Sequence, residues 1–215
     1  LEEIEQRPLA AEALLHAANA LPGHPSSLHI LHTLLTEQRL APPQVAEVLM
    51  SGGWMRVLEQ QPFVNLLGEI AGPSLEHAWL AIYLTSAWLD SGRPLEGELQ
   101  EFAWRCLEAN APSAVEPFFY TYWWRRDQLA GRLAAADPER GFRLLARLLS
   151  AEQTGDWDLL LDHTRLKLWR SLRQADRTRA LATVFGEDSK CLMFGSMHKG
   201  AIDQQEDASL LITIA

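Results

Sequence analysis

Four histidines fall within 17 residues of one another, His16, His24, His29 and His32. His29 and His32 stand three apart, so on one helix both rings can face the same ion, and Glu12 lies one turn before His16. That spacing suits a metal site. No carboxylate-rich surround accompanies it, however, so ordinary residues near helix ends are the preferred reading and no metal ligand is assigned.

Asp156, Asp158 and Asp162, with His163, gather around Trp157. Asp158 and Asp162 are one helical turn apart, the spacing of a carboxylate pair for acid–base work or for a divalent ion. The plainer reading prevails: Asp156 caps a helix, and the other acids favour the positive end of its dipole.

The run Tyr120 to Arg126 sets Trp123 and Trp124 beside Arg125 and Arg126. Adjacent residues on a helix point about 100° apart, so one tryptophan must meet a neighbouring helix, a groove or a partner. Tryptophan and arginine dominate interface hot spots, although cation–π stacking inside the fold competes as an explanation. Arg140, Arg143 and Arg147 follow at i, i+3 and i+7, a helix face that is either solvated or reads a phosphate or an acidic partner. These seven residues are the candidate binding set. No Gly-rich phosphate loop, nucleophile elbow, paired-Cys motif or His-Glu-x-x-His occurs, so no catalytic residue and no cofactor is expected.

The elements that position these groups are short amphipathic helices separated by Pro and Gly, from Pro8 to about Phe185. Pro8 reads as a first-turn proline, followed by the stripe Leu9, Ala13, Leu14, Ala17 and Leu21. Ser26 or Ser27 is expected to cap the next helix, and Pro42-Pro43 opens a third. Two short elements, Trp54 to Leu58 and Phe63 to Ile70, are separated by Pro62. Leu75 to Leu89 is the most apolar segment, with Trp79, Ile82, Tyr83 and Ala87 marking a buried face. Leu99 to Leu107 forms the next stripe, and the aromatic run continues as a helix through Leu133. Asp137-Pro138-Glu139 is a strong helix start, and Asp176 caps one more. The stretch Ala136 to Phe142 matches Ala175 to Leu181 at an offset of 39, close to the period of two-helix repeats.

Composition agrees with a folded, soluble chain. Hydrophobic residues make up 47% of the 215, with eight tryptophans, ample for a core. A formal charge of −9 argues in bulk against nucleic acid as a partner. The apolar run Ala78 to Leu89 is too short to cross a bilayer, no signal peptide precedes it, and no membrane partner is expected. Cys106 reads as a small core residue. Cys191 lies in a different kind of segment, and a reducing cytoplasm is the default setting. Leu1 in place of Met, and the apolar end Leu210 to Ala215, suggest a piece of a longer polypeptide.

The stretch from Ser74 to Phe185 resembles the helical-repeat arms of bacterial signalling ATPases of the STAND class. The residues that carry this are Ala78-Trp79-Leu80-Ala81, Asp137 to Leu145, and the pairing of Trp157 with Trp169 ahead of the Asp176-led helix. The resemblance implies a HEAT- or armadillo-like sensor arm, in a family where such arms detect a ligand, often a foreign protein in antiviral defence. No nucleotide-binding module is present, and no functional residue carries over.

The expected fold is therefore all-α: an α-solenoid or irregular stack of about ten short antiparallel helices over 1–186, with a non-helical tail over 187–215 that forms a hairpin or leads into a further domain. The expected function is a non-enzymatic recognition or scaffolding module of a larger regulatory protein. Its partner would be a protein, or other domains of the same longer chain. Two alternatives come from other classes: an all-α enzyme with an aromatic-lined pocket and Asp158, Asp162 and His163 as working groups, and an oligomerisation domain.

Overall fold

The structure is a computed structural model that describes residues 2–51, 53–109, 119–150 and 157–185. Within these ranges, side chains are described from residue 11 onward, except at 119–124, 149–150, 157–163, 166, 181 and 184–185. The chain is all-α. The expected tail over 187–215 lies outside the described residues.

Helices come in pairs along the chain. The first pair is α1 (Glu2–Ala20) with α2 (Pro25–Thr36). The second is α3 (Pro42–Ser51) with α5 (Gln60–Ala71), and a single turn, α4 (Trp54–Val57), lies between them. Then come α6 (Ala78–Asp90) with α7 (Gly97–Glu108), α8 (Phe119–Ala136) with α9 (Pro138–Ser150), and α10 (Trp157–Ala175) with α11 (Arg177–Phe185). First helices begin at residues 2, 42, 78, 119 and 157 and second helices at 25, 60, 97, 138 and 177, so each series advances by 35 to 41 residues. Such a period is the mark of a two-helix repeat, in which each pair buries its apolar face on its neighbours. None of the helices among the described residues is long and apolar enough to cross a membrane.

Residues 1–122 and 123–215 form two compact units. In the first, α6 is the central element. Every residue from Ala78 to Trp88 except Tyr83 is buried, as expected of a helix that is apolar all round. Phe63 of α5 stacks on Trp88 of α6 with ring centroids 4.6 Å apart and planes 7° from parallel. The Arg93 guanidinium lies 3.7 Å from the Trp88 centroid, necessarily on the face that Phe63 leaves free. Arg93 also donates to the Leu58 carbonyl, Trp88 Nε1 donates to Pro94 O at 2.9 Å, and Ser91 Oγ donates to Met55 O at 3.2 Å. These bonds tie the end of α6 to the turn α4 and satisfy backbone groups that the breaks in helix leave open.

In the second unit close backbone approach does the packing. A Cβ on Gly141 of α9 would meet Ala134 Cβ of α8 at 2.9 Å and Leu172 Cδ2 of α10 at 2.8 Å. Only glycine lets α9 sit that near both helices. Thr164 Oγ1 donates to Asp127 Oδ1 at 2.6 Å, joining α10 to α8. Asp137 and Asp176 cap α9 and α11 in the same way, each Oδ1 accepting from the backbone N–H three residues on, Arg140 at 3.1 Å and Arg179 at 2.9 Å.

Four local expectations differ. The helix α1 begins at Glu2 rather than at Pro8: Glu2, Glu3 and Glu5 suit its positive end, and one interior proline removes a single hydrogen bond. Among its described side chains Ala11 and Ala18 are buried, while Ala13, Leu14 and Ala17, and Leu21 just beyond it, face outward, because a helix this rich in alanine and leucine offers two apolar faces. His24 rather than Ser26 or Ser27 caps α2, its Nδ1 accepting from Ser26 N at 3.2 Å, because Pro25 takes the first helical position. Pro62 falls in the first turn of α5 rather than before it, where its missing N–H costs nothing. Leu75 stands ahead of α6 in the left-handed region, φ 57°, and Tyr83 is half-buried rather than buried.

Candidate functional site

Within each unit, hydrogen bonds link successive helix pairs at a recurring separation. In the first unit these are Asn19 with Trp54, His32 with Glu69, and Gln61 with Glu98, at separations of 35, 37 and 37 residues. In the second unit Asp127 meets Thr164 and Glu139 meets Arg179, at 37 and 40. Three of these bonds, His32–Glu69, Gln61–Glu98 and Glu139–Arg179, join second helices. In each unit, polar bridges thus join second helices on their exposed side.

On that side an open cleft of about 260 Å³ lies between α2 and α5. Leu28, Pro62 and Leu66 form its apolar floor, and His29, His32, Asn65 and Glu69 its polar rim. His32 Nδ1 lies 2.7 Å from Glu69 Oε1 and 2.8 Å from Oε2. A carboxylate only accepts, so Nδ1 carries a proton and Nε2 is turned away from the pair. Glu69 is 30% exposed, and a carboxylate has about four acceptor positions, so Glu69 can accept further bonds from solvent or a ligand.

Glu69 continues a rail along α5. Gln61, Asn65 and Glu69 are four residues apart in turn and share one helix face. Gln61 Nε2 donates to Asn65 Oδ1 at 3.3 Å and to Glu98 Oε2 of α7 at 3.0 Å. Two polar links therefore flank α5, Gln61 to Glu98 of α7 and Glu69 to His32 of α2, with Asn65 one turn from each along the same face.

The residues expected from sequence are placed as follows. Arg126 is buried with 2% exposure and Arg125 is half-buried on α8. The side chains of Trp123 and Trp124 lie outside the described residues. Arg143 and Arg147 are exposed on α9, and Arg140 is half-buried beside the Asp137 cap. His16 is exposed, while His29 and His32 do line a common cleft. Among the described residues no three His, Cys, Asp or Glu side chains converge as a metal site. The side chains of Asp158, Asp162 and His163 lie outside the described residues. Cys106 is buried, and burial pushes its thiol up to about 12 against a smaller opposing pull from Arg105.

Charge is segregated between the units, a signal present in the sequence that the overall figure of −9 conceals. Residues 1–122 hold five basic and fifteen acidic side chains, a net −10. Residues 123–185 hold twelve basic and eight acidic, a net +4. The cleft and its rail belong to the acidic unit. Glu69, Asn65 and Gln61 were not singled out from sequence, since only the pairing of α5 with α2 and α7 gives them a common role.

No protein-family model, no curated protein and no solved structure matches the chain.

Proposed function

We propose that this chain is a non-enzymatic recognition or scaffolding module of a larger regulatory or signalling protein, which holds a protein partner on the exposed face of its second helices. One observation carries the reading: within each unit, hydrogen bonds join successive helix pairs at separations of 35 to 40 residues, and three of them lie between second helices. Stacked pairs of this kind extend a surface that grows with repeat number, and binding is what such surfaces serve. A HEAT- or armadillo-like sensor arm of a STAND-class ATPase is the form of this reading that the sequence resemblance suggests. The His32–Glu69 contact adds to this, since it spends the imidazole on bridging two helices in an open cleft.

Affinity purification of the chain from native lysate, followed by mass spectrometry, tests the reading. A stoichiometric protein partner, or a longer parent chain, is the expected result. Recovery of the chain alone with a bound metal or small molecule would overturn it in favour of an enzyme.

A further inference from the structure

Resting on the recognition-module reading, we infer that the rail across α2, α5 and α7 takes a basic protein segment, with an arginine seated in the α2–α5 cleft. The cleft, at about 260 Å³, has room for one long side chain. Its floor of Leu28, Pro62 and Leu66 suits the aliphatic stem of an arginine, which packs on apolar surface while its head stays polar. At the rim the Glu69 carboxylate is held in place by His32 Nδ1 through both oxygens, at 2.7 and 2.8 Å, and keeps acceptor capacity for a guanidinium. A second carboxylate, Glu98, ends the rail on α7 and is positioned by Gln61 at 3.0 Å.

From Gln61 to Glu69 the polar face follows α5 for two turns, on the order of 12 Å. The surroundings favour the same sign of partner. Residues 59–108 carry eight acidic side chains and two basic ones. Both basic groups are engaged within the unit, Arg93 on Trp88 and Arg105 over Phe102. Such a field speeds encounter with a cationic segment and repels nucleic acid or an acidic one.

The test is fluorescence anisotropy with a labelled nona-arginine peptide, beside nona-lysine and nona-glutamate, on the wild-type chain and on Glu69→Gln, Glu98→Gln and Glu47→Gln. Glu47 is exposed on α3 and stands for the general acidity of the unit. The expected result is that nona-arginine binds more tightly than nona-lysine and nona-glutamate does not bind. Glu69→Gln and Glu98→Gln should each weaken nona-arginine binding about tenfold, the value of one charge-assisted hydrogen bond, with Glu47→Gln unchanged. Glutamine preserves the shape and can still accept from His32, and thermal unfolding checks each variant. If Glu69→Gln fails to fold, Glu98→Gln carries the test.

Equal weakening by all three variants, or no binding of nona-arginine, overturns the inference. A concentration-dependent mass that Glu69→Gln and Glu98→Gln abolish would overturn it differently, assigning the rail to the arginine-rich helices of a second copy. A lysate partner retained equally by wild type, Glu69→Gln and Glu98→Gln sinks the rail alone and leaves the module reading standing. Loss of any stoichiometric partner from the wild type sinks the module reading whatever the peptides do.

Discussion

Glu139 on α9 and Arg179 on α11 stand forty residues apart and meet as a two-point pair, with Nη2 of the arginine 2.9 Å from Oε2 and Nη1 donating to Oε1. The same guanidinium lies 4.4 Å from the centroid of the Phe142 ring. Each partner sits in the first turn after an aspartate cap, so the matched caps at Asp137 and Asp176 bring the two side chains into register. The two helices whose caps match at an offset of 39 in the sequence are therefore also in contact.

That pair sets a pH dependence. The hydrogen bond from Arg179, more than its charge, holds the Glu139 carboxyl below its ordinary range, and the carboxylate in turn raises Arg179. A carboxyl lowered by folding adds stability that is present above its unfolded value, about pH 4.3, and disappears as pH falls through its folded value. The raised Arg179 adds stability below its unfolded value, so it is complete at neutral pH. Glu139→Gln should lower the unfolding midpoint at neutral pH and match the wild type in acid below the carboxylate range. Because the pair is exposed, the difference should be small and shrink with added salt. Thermal melts of both proteins at the two pH values check this; an undiminished difference in acid would contradict it.

The layered contact of Phe63, Trp88 and Arg93 should dominate the stability of the first unit. Trp88 has 1% exposure and Phe63 none, so Trp88→Ala should cost about 3–5 kcal/mol in urea unfolding. Arg93 adds a cation–π term over a largely desolvated ring. A double-mutant cycle with Trp88→Leu and Arg93→Gln should return a coupling of about 1 kcal/mol. Coupling indistinguishable from zero would mean that Arg93 acts through the Leu58 carbonyl alone.

Cys106 should behave as an inert core thiol. With its pKa pushed up to about 12 by burial, almost none is thiolate at neutral pH, and the sulfur is out of reach of reagents. In a Cys191→Ser variant, which leaves Cys106 as the lone thiol, alkylation by iodoacetamide should follow global unfolding across a urea series. Fast labelling of the native protein would show that α7 opens locally.

Much of this fold was legible because breakers and caps are local signals. Asp137-Pro138 and Asp176 start helices by chemistry contained within four residues, and the structure keeps both. Errors fell where a local signal was ambiguous. The first helix has apolar residues on two faces, and only packing selects Ala11 and Ala18 over Leu14 and Leu21. The cleft was half legible: the spacing of His29 and His32 drew attention to the right face. What completes it, Glu69, comes from 37 residues away and turns a suspected ligand into a bridge between helices. Periodicity within a helix carries no information about its partner across the pair.

Two glycines should respond to alanine in opposite directions. Gly68 lies inside α5, and a Cβ there would meet nothing within 4 Å. Alanine removes backbone freedom from the unfolded chain without strain, so Gly68→Ala should stabilise by about 0.5–1 kcal/mol. The same propensity gain applies at Gly141 on α9, but there the new methyl would stand 2.9 Å from Ala134 Cβ and 2.8 Å from Leu172 Cδ2. The leucine methyl can rotate aside. The alanine is fixed to the backbone of α8, so relief requires moving one helix from another. Overpacking of this kind costs about 1–3 kcal/mol and should exceed the propensity gain of about 1 kcal/mol. Gly141→Ala is therefore expected to lower stability in denaturant unfolding. A rise in both variants would mean that α8 and α9 sit farther apart in solution than their Gly141–Ala134 approach implies.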